Sequence, residues 1–195
     1  WSPEEKSRIL KRLGLTGQDL IMLYVGRVEF KKNIVKLVEG FARFLKEYPD
    51  WKLVLAGKEG IGYEEIEEKI NELRLENDVV LTGYISEEEK RYLLTKCRVF
   101  AFPSKYEGFG LPILEAFSYR RPVLTSKVSS MPEIAGKAAF LVDPDRVEEI
   151  SVGLKRLVAD GVMISRLITE GDRQLEKFSW EKAAAETFEV LISGL

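Results

Sequence analysis

VFAFPSKYEGFGLPILEAFSY, residues 99–119, changes character twice. An apolar run from Val99 stops at Pro103, and a polar turn carrying Gly108 and Gly110 follows. Pro112 then opens a helical pattern with Leu111, Leu114, Ala116 and Phe117. A strand end, a glycine-bearing turn and a helix start aim backbone N–H groups at a common point, which suits an anion. Glu107 lies in the turn and Glu115 about one turn into the helix. One short segment therefore offers a phosphate cradle and two carboxylates.

The same alternation runs through the rest of the chain. Ser2-Pro3-Glu4-Glu5 reads as a cap, a first-turn proline and a capping-box acid for a helix to about Leu13. Strands are expected at Leu20–Val25, Trp51–Ala56, Val79–Leu81, Val99–Phe102, Pro122–Leu124 and Ala138–Val142. Between them lie helical patterns marked by Ile34, Leu37, Val38, Phe41, Phe44 and Leu45, by Ile66, Ile70 and Leu73, and by Tyr92 and Leu93 behind a Ser86–Glu89 capping box. Ser129, Ser130, Pro132 and Glu133 read as a loop, and Asp145 as the cap of a helix through Ile150, Leu154, Leu157 and Val158. Further helices start at Gly161 and at Ser179.

Six short strands separated by helices predict an α/β chain: a doubly wound, parallel, six-stranded, Rossmann-like sheet in three layers. The 195 residues form a single domain on this reading. Ligands of such sheets bind at the C-terminal strand ends near the reversal of strand order. The expected wall is thus Arg27–Asn33, Gly83–Ile85, Pro103–Leu111 and Ser126–Glu133. Because the chain opens on a helix with no strand before it, it reads as part of something longer.

Composition narrows the functions. Thirty basic residues nearly balance thirty-two acidic ones, giving a net charge of -2 with no basic stripe, which disfavours a broad nucleic-acid surface. Histidine is absent, so a Ser-His-Asp or Cys-His mechanism from this chain is excluded and the commonest zinc ligand is missing. No metal site is expected. The single Cys97 beside a strand reads as a small buried side chain. Neither a spanning segment nor a signal peptide is expected from these residues, and the expected location is cytoplasmic.

Gly26-Arg27 through Lys32 places cations just after the first strand, where they can grip phosphate or simply decorate a solvated loop. Neither a P-loop nor a dinucleotide fingerprint is present. Glu107 and Glu115 can accept hydrogen bonds from sugar or ribose hydroxyls, serve as the acid and base of a glycosidase, or be ordinary turn and helix acids. Gly108 and Gly110 allow close approach of a ligand to the backbone.

Taken together, Gly26-Arg27 with Lys32-Asn33, Tyr106 through Pro112 with Glu115-Ala116, and Ser129 through Glu133 resemble the C-terminal half of a retaining glycosyltransferase of the GT-B family 4. The resemblance reaches from the opening helix to Phe178-Ser179-Trp180 and is nearest to branches transferring mannose or glucose. It implies that Arg27 and Lys32 neutralise the diphosphate of a UDP-, GDP- or ADP-sugar, and that Glu107 lies near the transferred sugar. The amides around Gly108, Phe109, Gly110 and Leu111 would meet sugar hydroxyls and phosphate, with Gly26 beside them. Glu115 would hold the ribose, the base would lie against Tyr84 and Ile85, and Glu133 would support its loop.

The resemblance further implies no obligatory metal or other cofactor, and a saccharide or lipid-linked acceptor. It implies an N-terminal acceptor domain absent from this chain, through which the whole protein could reach a membrane. The last helix would then cross back onto that domain, leaving its apolar face open here. A nucleotide-sugar epimerase or hydrolase, and a noncatalytic sugar-nucleotide or assembly module, are the alternatives.

Overall fold

The computed structural model describes residues 1–193. Its elements are α1 (Pro3–Arg12), β1 (Leu20–Val25), a 3-10 turn (Phe30–Lys32), α2 (Ile34–Leu45), β2 (Trp51–Ala56), α3 (Tyr63–Glu72), β3 (Val79–Gly83), α4 (Glu87–Lys96) and β4 (Val99–Phe102). They continue with α5 (Leu111–Ser118), β5 (Val123–Ser126), α6 (Met131–Ala135), β6 (Ala139–Val142), α7 (Val147–Ala159), α8 (Gly161–Leu175) and α9 (Trp180–Ser193). The strands form one sheet in the order β3-β2-β1-β4-β5-β6, and every pairing is parallel. Strand order reverses between β1 and β4, so the loops after these two strands sit at the switch point.

The expected doubly wound sheet is present. Its central strands are apolar on both faces because helices cover them: Ile21, Met22, Leu23 and Tyr24 of β1 and Leu53, Val54 and Leu55 of β2 are fully buried. On α2, Leu37, Val38, Phe41 and Phe44 return at helical spacing and are buried where that helix packs against α3 and α7. Each such side chain contributes about 1.5–3 kcal/mol by leaving water, which is what fixes the strand ends relative to one another. Both expected capping boxes form, Ser2 with Glu5 and Ser86 with Glu89.

Three local expectations need correction. Asp145 does not cap α7. An Asp143 turn takes the Asp145 and Arg146 N–H groups instead, and the Asp145 carboxylate pairs with Lys105 at 2.8 Å. Residues 131–135, expected as loop, form α6, with Pro132 in its first turn where the missing N–H costs nothing. The buried face of α5 is Ile113, Ala116 and Phe117, whereas Leu111 is 49% exposed because the helix starts only there. On α9, Phe188, Leu191 and Ile192 are exposed, as the open apolar face requires.

Candidate functional site

Strand β1 ends at Gly26, where the chain meets the end of β2. A Cβ on Gly57 would lie 1.9 Å from the Gly26 carbonyl oxygen, so this approach requires glycine. The two following loops then zip together: Val28 N–H donates to Lys58 O at 2.8 Å, Gly60 N–H to Val28 O at 2.9 Å and Phe30 N–H to Ile61 O at 2.8 Å. The expected wall does not include the segment after β2. It belongs there, and Lys58 stands 5.1 Å over the ring of Tyr84.

Asn33 closes the β1 loop in a left-handed conformation, φ 61°, and is only 3% exposed. Its Nδ2 donates to Pro103 O at 3.0 Å and Pro144 O at 2.7 Å, tying the loops after β1, β4 and β6 together. Lys105 N–H adds a bond to Lys31 O at 3.1 Å. The buried Tyr24 hydroxyl donates to Arg27 O at 2.9 Å. Burial, then the charges of Glu107 and Glu29, push its pKa well up, so it remains a neutral donor.

This framework brings Lys32 and Glu107 together. Lys32 Nζ donates to both oxygens of Glu107, at 2.7 and 2.8 Å, and the side chains are 15% and 13% exposed. The resemblance implies separate phosphate-facing and sugar-facing roles for the two; the structure makes them mutual partners. Arg27 is exposed, and its stem passes Gly60, whose Cβ position is 2.8 Å from Arg27 Cδ. Among the described residues Arg27 has no ion-pair partner, so one expected cation is open and the other is engaged.

The turn from Glu107 to Gly110 is held from behind by serines. Ser129 Oγ accepts Glu107 N–H at 3.2 Å and donates to Glu107 O at 2.8 Å, while Ser130 Oγ lies 3.0 Å from Glu107 O and 2.7 Å from Phe109 O. With these carbonyls held, the loop cannot rotate freely. Gly110 has φ 110° and caps α5, a backbone need that glycine meets; Gly108 has open space where a Cβ would stand. Phe109 meets Phe178 edge-on at 5.8 Å. The Glu133 side chain is exposed and makes no polar contact among the described residues; only its carbonyl is held, by Gln174 at 3.0 Å. Loop support therefore comes from Ser129 and Ser130, not from that carboxylate.

Glu115 is 40% exposed, and its Oε1 accepts from Lys90 Nζ at 2.8 Å. Lys90 also lies 3.0 Å from Glu87. Burial, the largest influence, pushes the Lys90 pKa down, but the hydrogen bonds with Glu115 and Glu87 together raise it, so the ammonium is kept. Tyr84 is 62% exposed, whereas Ile85 turns its side chain inward at 9%. Arg12 of α1 donates to Tyr84 O, fixing the main chain there. No grouping of acids and cysteine suited to a metal occurs among the described residues. Lys58 and Lys90 carry no sequence expectation, whereas Ser129 and Ser130 belong to the expected wall without an individual role. The ST-rich loop facing a glycine turn was the available signal for the serines.

A doubly wound sheet with a cation–carboxylate pair and a serine-held glycine turn at its switch point is a Rossmann-like domain with a candidate ligand site. More specifically, the sequence profile described as "Glycosyl transferases group 1" matches residues 5–174, and the chain belongs to that family. It is 34% identical over 190 residues to O-antigen chain mannosyltransferase B of Escherichia coli, covering 95% of this chain and 49% of the relative. It is 28% identical over 190 residues to an uncharacterized glycosyltransferase of Methanocaldococcus jannaschii, covering 96% and 48%. The chain thus spans about half the length of these curated relatives.

Among solved structures, the fold matches Anabaena HepE in complex with UDP and glucose with a TM-score of 0.83 at 23% identity, covering 99% of this chain and 53% of that one. It also matches the C-terminal domain of the group 1 family protein LpcC from Francisella tularensis, with a TM-score of 0.72 at 24% identity over 91% and 94% of the two chains.

Proposed function

We propose that this chain is the donor-binding, C-terminal domain of a retaining GT-B glycosyltransferase, taking a nucleoside diphosphate sugar and transferring mannose or glucose. The observation that carries the reading is the Lys32–Glu107 pair at the β1/β4 switch point, with open Arg27 on one side and the held turn at Gly108–Gly110 on the other. Family membership and the half-length match to two-part relatives support an acceptor domain preceding this one. The mannosyltransferase name of the Escherichia coli relative supports mannose, and HepE, solved with UDP and glucose, supports a nucleoside diphosphate as the leaving half.

The chemistry follows from these side chains. Departure of a nucleoside diphosphate builds negative charge, which on this reading Arg27, Lys32 and the amides of the α5 N-terminal turn stabilise. Glu107 accepts hydroxyls of the transferred sugar and Glu115 those of the ribose, while the fixed main chain at Tyr84–Ile85 meets the base. Closure of the acceptor domain, landing on the apolar face of α9, excludes water, so the isolated chain binds donor without transferring sugar. The whole enzyme works from the cytoplasm, at a membrane where its acceptor is lipid-linked.

The test is calorimetric titration of this chain with UDP, GDP and ADP, each with and without its sugar. Selective binding of one diphosphate is the expected outcome and names the donor. Absence of binding to any of them by folded protein would refute a self-sufficient donor site.

A further inference from the structure

Glu115 reaches the site from the first turns of α5, 40% exposed, and a carboxylate so placed would ordinarily sample several rotamers. It does not stand alone. Lys90, on α4, carries its ammonium to Glu115 Oε1 at 2.8 Å, and the lysine side chain is only 18% exposed. The α4 helix is itself fixed at its start by the Ser86–Glu89 capping box and by the ion pair of Arg12 with Glu89 at 2.9 Å. Lys90 therefore projects from a secured turn and grips one carboxylate oxygen, and Oε2 of Glu115 is the oxygen with no such partner among the described residues. A planar carboxylate held by one oxygen samples fewer directions with the other, which suits the hydroxyl pair of a ribose.

We propose that Lys90 is a positioning residue for ribose recognition: it orients Glu115, and through Glu115 it makes the site discriminate ribonucleotides from their deoxy counterparts. The inference rests on the donor-site reading given above. Its second partner, Glu87 at 3.0 Å, is 82% exposed and competes with Glu115 only as a mobile surface acid. Lys90 thus keeps a partner if Glu115 is lost, whereas Glu115 loses its only described ion-pair contact if Lys90 is lost.

The experiment is a double-mutant cycle read by calorimetry with the diphosphate that the chain binds best and with its 2′-deoxy form. Lys90→Met is expected to weaken binding of the ribonucleotide about tenfold, the size of a charge-assisted hydrogen bond. It should leave the deoxynucleotide within about twofold by the same measure. Because the lysine acts through the acid, Lys90→Met with Glu115→Gln should bind no more weakly than Glu115→Gln alone. Lys90→Arg should restore most of the discrimination. Equal weakening toward both sugars, or additive losses in the double variant, would overturn the positioning role while leaving the donor site intact. If Glu115→Gln itself leaves discrimination unchanged, the ribose assignment fails and the role of Lys90 with it. A thermal melt of each variant separates these results from unfolding, because a destabilised chain loses affinity for both nucleotides alike.

Discussion

Replacing Glu107 by Gln should tighten the binding of a bare nucleoside diphosphate, although it removes a residue of the site. The reason is the pair at 2.7 and 2.8 Å: Lys32 must release two charge-assisted hydrogen bonds before it can face a phosphate. Each such bond contributes about 1.5–3 kcal/mol, and a glutamine amide oxygen retains one of the two to the ammonium. The bond lost, about 1.5–3 kcal/mol, is released to diphosphate binding, which corresponds to roughly ten- to hundredfold in affinity. The side chains are 13% and 15% exposed, so solvent screening takes little of it. For the sugar-bearing donor the gain should shrink or reverse, because glutamine accepts fewer sugar hydroxyls than a carboxylate. Calorimetry of wild type and Glu107→Gln with the diphosphate and its sugar conjugate reads both signs. Weaker or unchanged binding of the bare diphosphate would show that the ion pair does not compete with ligand. The variant should also melt about 2–4 °C lower for each 1 kcal/mol that the folded state loses.

Asn33→Ala should destabilise the chain by about 2–4 kcal/mol, since two buried carbonyls lose their donor and alanine must hold a left-handed conformation. Asn33→Gly should be milder by about 1 kcal/mol, and urea melts in which alanine is no worse than glycine would refute the backbone part. Burial pushes the Cys97 thiol up from 9.0 to about 12, so the folded state favours the neutral form. That stabilisation is fully present below pH 9.0 and is lost as pH rises toward about 12. Stability should therefore fall above pH 9.0 more steeply in wild type than in Cys97→Ala, and equal slopes in urea melts would contradict it.

Strand positions and capping boxes were legible because they are written in adjacent residues. LIMLYV and WKLVLA can be little else than buried strands, and Ser86 and Glu89 satisfy each other within one turn. Lys90 was not legible. It sits in a run of charges, EEEKR, that reads as a solvated face, and only the tertiary fold brings its ammonium to a carboxylate 25 residues away. The loop after β2 was missed for a similar reason: its pairing with the β1 loop is made by backbone atoms, which carry no side-chain signature. Asp145 misled because two groups competed for it, and the Lys105 ammonium won over the helix N-terminus.

The loops that carry these side chains are joined to one another by direct hydrogen bonds. Asn33 bridges three of them, Lys105 N–H meets Lys31 O, Tyr24 meets Arg27 O, and two serines fix the carbonyls of the glycine turn. A rigid backbone of this kind leaves side-chain ion pairs as the adjustable parts. At the switch point the adjustable pair is Lys32–Glu107, and beside α5 it is Lys90–Glu115. Both join a cation to an acid of the proposed donor site, so on that proposal a ligand would exchange partners with these side chains. Such exchange costs little conformational entropy and places the burden of selectivity on which ligand groups can replace each partner. A phosphate can replace Glu107 on Lys32, whereas a ribose hydroxyl cannot replace Lys90 on Glu115 and must share the carboxylate with it. On the proposed donor reading, the diphosphate end of the site should therefore respond to the charge of Glu107, and the ribose end to the geometry of Lys90.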